Sequence, residues 1–362
     1  MTASADPNPP LTPSPATAPL APSAPRLSAE RSAALHRAAL SALLREHFGR
    51  DGLTVDTVGA GAGAVQGDTA WLLLAGAGER ALGHALGWSV RAGASVLHLV
   101  VAPDEAALNT RRAAGLDPRP TVWAQQGRTV EQVEPLPAPD LPHPADALAA
   151  LGPAIAELGA SVIVEDGIVF GEVRGLEVAR VLTADDGTPE LRVGVGVFDQ
   201  EAFAALADGA DPRVGLARLI AEVHERRRAG ALIHPMNRLA RERWLRSVVL
   251  DDPALAGAER LVPVAPLIGR RGIHERQPAA ALGIGADGGS VLVVCTVGVD
   301  LDVVPTAAEL SRHHGADSVV VVVPPRDRHR LIDELAGRLA VPARVEAIEP
   351  PWDPDLASTS RQ

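Results

Sequence analysis

The chain has 362 residues, 46% of them apolar, and a formal charge of −11. That is length enough for two or three cored units. No apolar run reaches the eighteen or so residues that a membrane-spanning helix needs, and a lone cysteine, Cys295, excludes a disulfide framework and a multi-cysteine metal site. All 34 residues of the Lys+Arg total are arginine, so a Walker-A loop, a Schiff base, a kinase-type strand lysine and a Ser-x-x-Lys nucleophile are excluded by composition.

Residues 1–25, rich in Pro and Ala, have neither a basic segment nor an apolar core and read as a disordered tail, not a signal peptide. A reducing, cytoplasmic compartment is the expectation from cysteine usage. The segment 26–134 opens with an amphipathic helix ending at Gly49, then one or two strands broken by a Gly/Ala loop. An apolar strand, a turn at Gly76 and Gly78, a helix with a Leu82/Leu86/Val90 stripe, the strand "SVLHLVV", a second helix and a short strand follow. Residues 135–145, "PLPAPDLPHPA", form a linker.

The middle region, 146–277, reads as a helix, a three-strand meander turned at Asp166-Gly167 and Asp186-Gly187 with a long central strand, then Arg-rich helices broken near Gly230 and Pro235, then a connector over 251–277. The last unit, 278–350, repeats strand, helix, strand, helix, strand, with Thr306 and Glu309 spaced as a capping box and a short tail over 351–362. Strand starts fall at matching intervals in the first and last units, which suggests an internal duplication. The fold class is therefore α/β, with two related three-layer units flanking a meander and an Arg-rich helical region.

Gly76-Ala-Gly78-x-x-Ala81 has the strand before it and the helix after it that a dinucleotide loop needs. Against that, the third glycine is alanine, Glu79 stands where phosphate should lie, and the acid expected at the end of the next strand is Ala102. In the meander, Glu172 and Arg174 are placed on one strand face with Arg180, and Glu177 on the other. That predicts a cross-strand ion network, or a metal or phosphate site if Glu172 and Glu177 converge at Gly175. Asp300, Asp302 and Asp327 sit after consecutive strands of the last unit, where open α/β sheets place ligands, and are the candidates for Mg²⁺ or Mn²⁺.

Between residues 222 and 246 arginine exceeds glutamate by four inside an acidic chain. Arg226, Arg227, Arg228, His234, Asn237, Arg238 and Arg241 are the phosphate-binding candidates, reinforced by Arg270, Arg271 and Arg276, because planar guanidiniums pair with phosphate oxygens. A solvated face paired with Glu is the competing reading of the same pattern.

The first helix, the meander and then "ERALGHALGWSVRAGASVLHLVV" resemble the core of the restriction-endonuclease-like fold, over residues 28–127 and again over 278–349. That family's activity rests on an Asp followed by Glu-x-Lys around a divalent metal, and neither the lysine nor a carboxylate in "TAWLLLAG" is present. The resemblance therefore implies a non-cleaving descendant. The functional expectation is a non-catalytic binding or regulatory protein that contacts a phosphate-bearing partner, nucleic acid included, with no cofactor and no membrane. The alternative is an enzyme that is nucleotide-dependent at Gly76/Gly78 or metal-dependent at Asp300/Asp302/Asp327.

Overall fold

The computed structural model describes residues 29–196, 211–232, 234–270, 272 and 275–352. The first tail, the second tail from residue 353, Arg271 and part of the expected helical region after Asp199 lie outside the described residues. The first unit runs α1 (Ala29–Glu46), β1 (Asp56–Val58), β2 (Gly61–Gln66), β3 (Thr69–Leu73), α2 (Ala81–Arg91), β4 (Val96–Val101), α3 (Pro103–Ala113), β5 (Thr121–Gln126) and β6 (Thr129–Gln132). Its six strands lie in sequence order, with β3, β4 and β5 parallel and the rest antiparallel. β3 is buried on both faces, which is why it reads as a continuous apolar run.

The middle layer has short helices α4 (Asp146–Ala149) and α5 (Gly152–Glu157), strands β7 (Ser161–Glu165), β8 (Ile168–Val173), β9 (Leu176–Thr183) and β10 (Pro189–Val193), and helix α6 (Pro212–Arg226). The expected long central strand is in fact two. Arg174 takes a left-handed conformation (φ 46°) and Gly175 follows at φ 78°, so the chain reverses there. Only glycine suits position 175, because a β-carbon would strike the backbone between Arg243 and Trp244. Glu172 and Glu177 consequently face each other across the β8–β9 pair, beside a register shift at Gly171. Arg174 has left the strand altogether.

The last unit is larger than the sequence suggested. It begins with α7 (Arg241–Asp251) and β11 (Ala258–Val264), which pairs with β12 (Ala279–Gly285) although Pro263 interrupts the apolar run. It continues through β13 (Ser290–Cys295), α8 (Val303–His314), β14 (Ser318–Val323), α9 (Arg330–Ala336) and β15 (Ala343–Ala347). The expected boundary at 277/278 therefore falls inside the loop of a hairpin, and the Arg-rich helix α7 belongs to this unit. α8 starts at Val303, one turn before the expected capping box; the Thr306 hydroxyl has no partner among the described residues and Glu309 serves elsewhere.

The sheet orders β1-β2-β3-β4-β5 and β11-β12-β13-β14-β15 match strand for strand. A single shift of 222 residues carries Thr69↔Val96 onto Val291↔Ser318 and Leu73↔Val100 onto Cys295↔Val322. The same shift carries the start of α2 at Ala81 onto the start of α8 at Val303. Asp68 accepts the Ser95 amide (2.7 Å) in the first unit, and with residue types exchanged Asp317 accepts the Ser290 amide (2.8 Å) in the last.

The two units pack through their inner helices, α3 on α8 and α2 on α9, between the two sheets. Leu72, Leu99, Leu292 and Val321 share the core so formed. Leu116 bridges Leu339, its counterpart at a shift of 223. That is the like-on-like contact of a two-fold interface, here within one chain. On the outer faces α1 covers Trp71 and Val100 through Leu40 and Leu44, while α7 covers Val293 and Val322 through Trp244 and Leu245. Among the described residues no helix is long and apolar enough to cross a membrane.

Candidate functional site

In the first candidate, the Gly76/Gly78 loop, two of the amides that would face a phosphate are engaged. The Gly78 amide donates to Glu105 (2.8 Å) and the Leu82 amide, at the start of α2, donates to Asn109 (3.0 Å). A carboxylate and an amide oxygen of the chain thus occupy the direction from which a pyrophosphate would approach. The shift of 222 places Gly298 and Asp327 in the last unit where Gly76 and Glu105 stand in the first, and Asp327 accepts the Gly298 amide (2.7 Å). The two loops are closed by equivalent acids.

The Asp300 corner does not gather as a metal centre. Asp300 accepts the Asp302 amide (3.0 Å), Asp302 pairs with Arg112 of α3 (3.1 Å), and Asp327 holds Gly298. Arg112 also reaches Glu309 (3.0 Å) and the Glu79 carbonyl (2.7 Å), so this cluster fastens one unit to the other. Burial pushes the Asp302 carboxyl above its usual range in spite of Arg112. Among the described residues no three His, Cys, Asp or Glu side chains stand together as a metal site. Burial also pushes the Cys295 thiol up to about 12, which keeps it protonated and non-nucleophilic.

Glu172 is fully engaged, with partners other than those on its own strand. Arg243 (2.8 Å) and Arg246 (2.9 Å) of α7 reach it, and Arg243 also pairs with Glu165, which binds Arg270 at 3.1 Å. Burial raises the Glu172 carboxyl, but Arg246 and Arg243 outweigh it and hold it below the ordinary range. Glu177 pairs with Arg180 (3.1 Å), and Arg174 donates to the Arg227 carbonyl (2.6 Å). Glu172 thus pairs across elements, Glu177 and Arg180 pair within β9, and Arg174 meets backbone carbonyls, where the sequence suggested one cross-strand Glu/Arg network.

The run Arg226, Arg227, Arg228 divides. Arg226 and Arg228 pair with Glu222 (3.8 Å) and Glu225 (3.1 Å) on the surface of α6. Arg227 is buried, its guanidinium 4.6 Å from the Trp244 ring and donating to the carbonyls of Arg174, Met236 and Leu239. It holds the segment before α7 in place and is not open to a ligand. Asn237 is buried too, and among the described residues its side-chain oxygen has no partner.

His234, Arg238 and Arg241 do come together, at a cleft of about 890 Å³. Arg238 stands on the turn at 235–238, Arg241 opens α7, Arg276 precedes β12, and Arg326 with Asp327 follows β14. Val195 from the end of β10, Met236, Leu239 and Val297 supply the apolar part of the wall, and Glu242 and Glu275 the remaining acids. Ala240, at φ 44°, turns the chain so that α7 starts at the cleft. Arg238, Arg276 and Arg326 are exposed, Arg241 is half-buried, and Glu242 is 6% exposed.

Burial above all, then the Arg326 and Arg276 charges, push Arg241 below the usual guanidinium range, with Glu242 acting in the opposite sense. Burial raises Glu242 instead, assisted by Asp300. The cleft therefore joins part of the Arg-rich candidate set to the Asp327 side of the last unit. Glu242 and the apolar wall gave no signal in the sequence, because the segments that meet here lie far apart in the chain. No family model, no curated protein and no solved structure matches this chain.

Proposed function

We propose that the protein is a non-catalytic binding module that holds a phosphate-bearing ligand in the cleft lined by His234, Arg238, Arg241, Arg276 and Arg326. One observation carries this reading: four guanidiniums from three chain segments line one concave site. Several guanidiniums around one cleft offer a phosphate group charge-assisted hydrogen bonds beyond those that the lining acids take up. A cleft of about 890 Å³ also lies in the roughly 300–1,000 Å³ range of small-ligand sites. A compact phosphate ligand is favoured over nucleic acid lying along α6, since Arg226 at its end and Arg228 just past it are paired with glutamate.

The unit topology of helix, antiparallel meander, crossover helix and parallel strand supports the restriction-endonuclease-like resemblance at the level of scaffold. Neither β2 and β3 nor β12 and β13 carries an acidic residue, which supports a non-cleaving role. Calorimetric titration with pyrophosphate at two salt concentrations tests the reading, with the doubly substituted Arg238→Ala/Arg276→Ala chain as control. Binding that weakens with salt and falls at least tenfold in the variant is expected. Absence of pyrophosphate binding, or a variant that binds as well as the parent, overturns it.

A further inference from the structure

The cleft has more room and more chemistry than a phosphate group uses. Its lining residues differ in exposure. Arg238, Arg276 and Arg326 are exposed and are assigned to the rim, whereas Glu242 is almost wholly buried and is assigned to the floor, with Met236, Leu239 and Val297 as the apolar part of the same lining. A phosphate or pyrophosphate at the rim leaves this floor unfilled.

We infer, resting on the phosphate reading above, that the ligand is a nucleotide, with its phosphates at the arginine rim and its base or sugar hydrogen-bonded to Glu242 at the floor. Met236, with its flexible thioether, and Leu239 and Val297 give the ring an apolar seat that adapts to a flat face. Burial above all, with the neighbouring Asp300 charge, favours the protonated carboxyl of Glu242 against the opposing pull of Arg276 and Arg241. A protonated carboxyl offers one donor and one acceptor side by side, the pattern that an amino group next to a ring nitrogen, or a pair of ribose hydroxyls, complements. Burying a second anion among the apolar wall residues is costly, so the cleft favours a ligand charged at one end only.

The test uses the full chain in calorimetric titrations with pyrophosphate, ADP, GDP and UDP. At least one nucleoside diphosphate is expected to bind tenfold or more tighter than pyrophosphate. Glu242→Leu, which keeps volume but removes both hydrogen-bonding atoms, is expected to abolish that advantage and leave pyrophosphate affinity within twofold. Glu242→Gln, which keeps a donor and an acceptor, should retain most of it. If pyrophosphate binds and no nucleotide exceeds it, the nucleotide inference is overturned while the phosphate reading stands. That comparison needs only the unsubstituted chain, so a poorly folding variant does not remove it. If neither class binds, both fall; if Glu242→Leu keeps the full nucleotide advantage, the role given to Glu242 is overturned.

Discussion

The first and last α/β units share strand order, pairing and inner helices, yet the loop that follows the first parallel strand has a different fate in each. In the first unit Glu105 and Asn109 tie the loop down. In the last, the equivalent acid Asp327 ties Gly298, two positions earlier in the loop than Gly78 is in the first, and the loop also forms one wall of a cleft. The other walls come from Val195 just past β10, from the segment between His234 and Glu242, and from Glu275 and Arg276 before β12. The last unit supplies most of the charged groups, and the segment inserted between the repeats adds His234 and Arg238 to them.

The sharpest way to break this contrast is to detach the middle sheet. Glu172→Ala leaves Arg243 and Arg246 buried without their shared counter-ion and should cost about 3–5 kcal/mol, read from urea unfolding. A loss below about 1 kcal/mol would mean that the network does not fasten the insert. Next in size is Gly115→Val at the contact between units. A β-carbon there meets the Ala308 backbone, and overpacking of this kind should cost up to about 3 kcal/mol in the same measurement.

The comparison sharpens with the paired substitutions Glu105→Ala and Asp327→Ala. Each frees one loop amide and should lower stability by about 1 kcal/mol. Only Asp327→Ala is expected to change pyrophosphate affinity as well; equal effects on affinity would deny the functional difference between the loops.

The smallest effect is on pH dependence. The folded chain holds the Glu242 proton to a higher pH than the unfolded chain does. Its contribution is therefore complete below the unfolded value near 4.5 and declines as pH rises through the raised folded value. Glu242→Gln should remove that decline, making the variant relatively more stable at pH 7 than at pH 4. Glu172 acts in the opposite sense: its contribution is present above 4.5 and is lost as pH falls through its depressed value.

Much of the scaffold was legible in the sequence because apolar strands buried on both faces and amphipathic helices announce themselves locally. The duplication was visible in the spacing of strand starts for the same reason. Three features were hidden. The turn at Arg174 lacks the usual pair of turn residues, so two strands read as one. The strand at 258–264 contains a proline and read as connector. The arginines of α7 read as a solvated face, although Arg243 and Arg246 point inward to acids more than seventy residues away in the chain. Charge alone does not reveal burial when the counter-ion is distant. The cleft was half legible: His234, Arg238, Arg241 and Asp327 were candidates, but in separate proposals that only the packing unites.

The contact of Leu116 with Leu339 places like against like, as in a dimer, but both partners are in one chain. Two separate copies would part on dilution and would be obliged to remain identical. Tethering keeps the effective concentration of one unit near the other on the order of millimolar, whatever the amount of protein. Pairing of the units is thereby independent of abundance, and each unit is free to change without forcing the same change on its counterpart. The loop beside Glu105, away from the cleft, and the one beside Asp327, which lines it, are what such freedom permits.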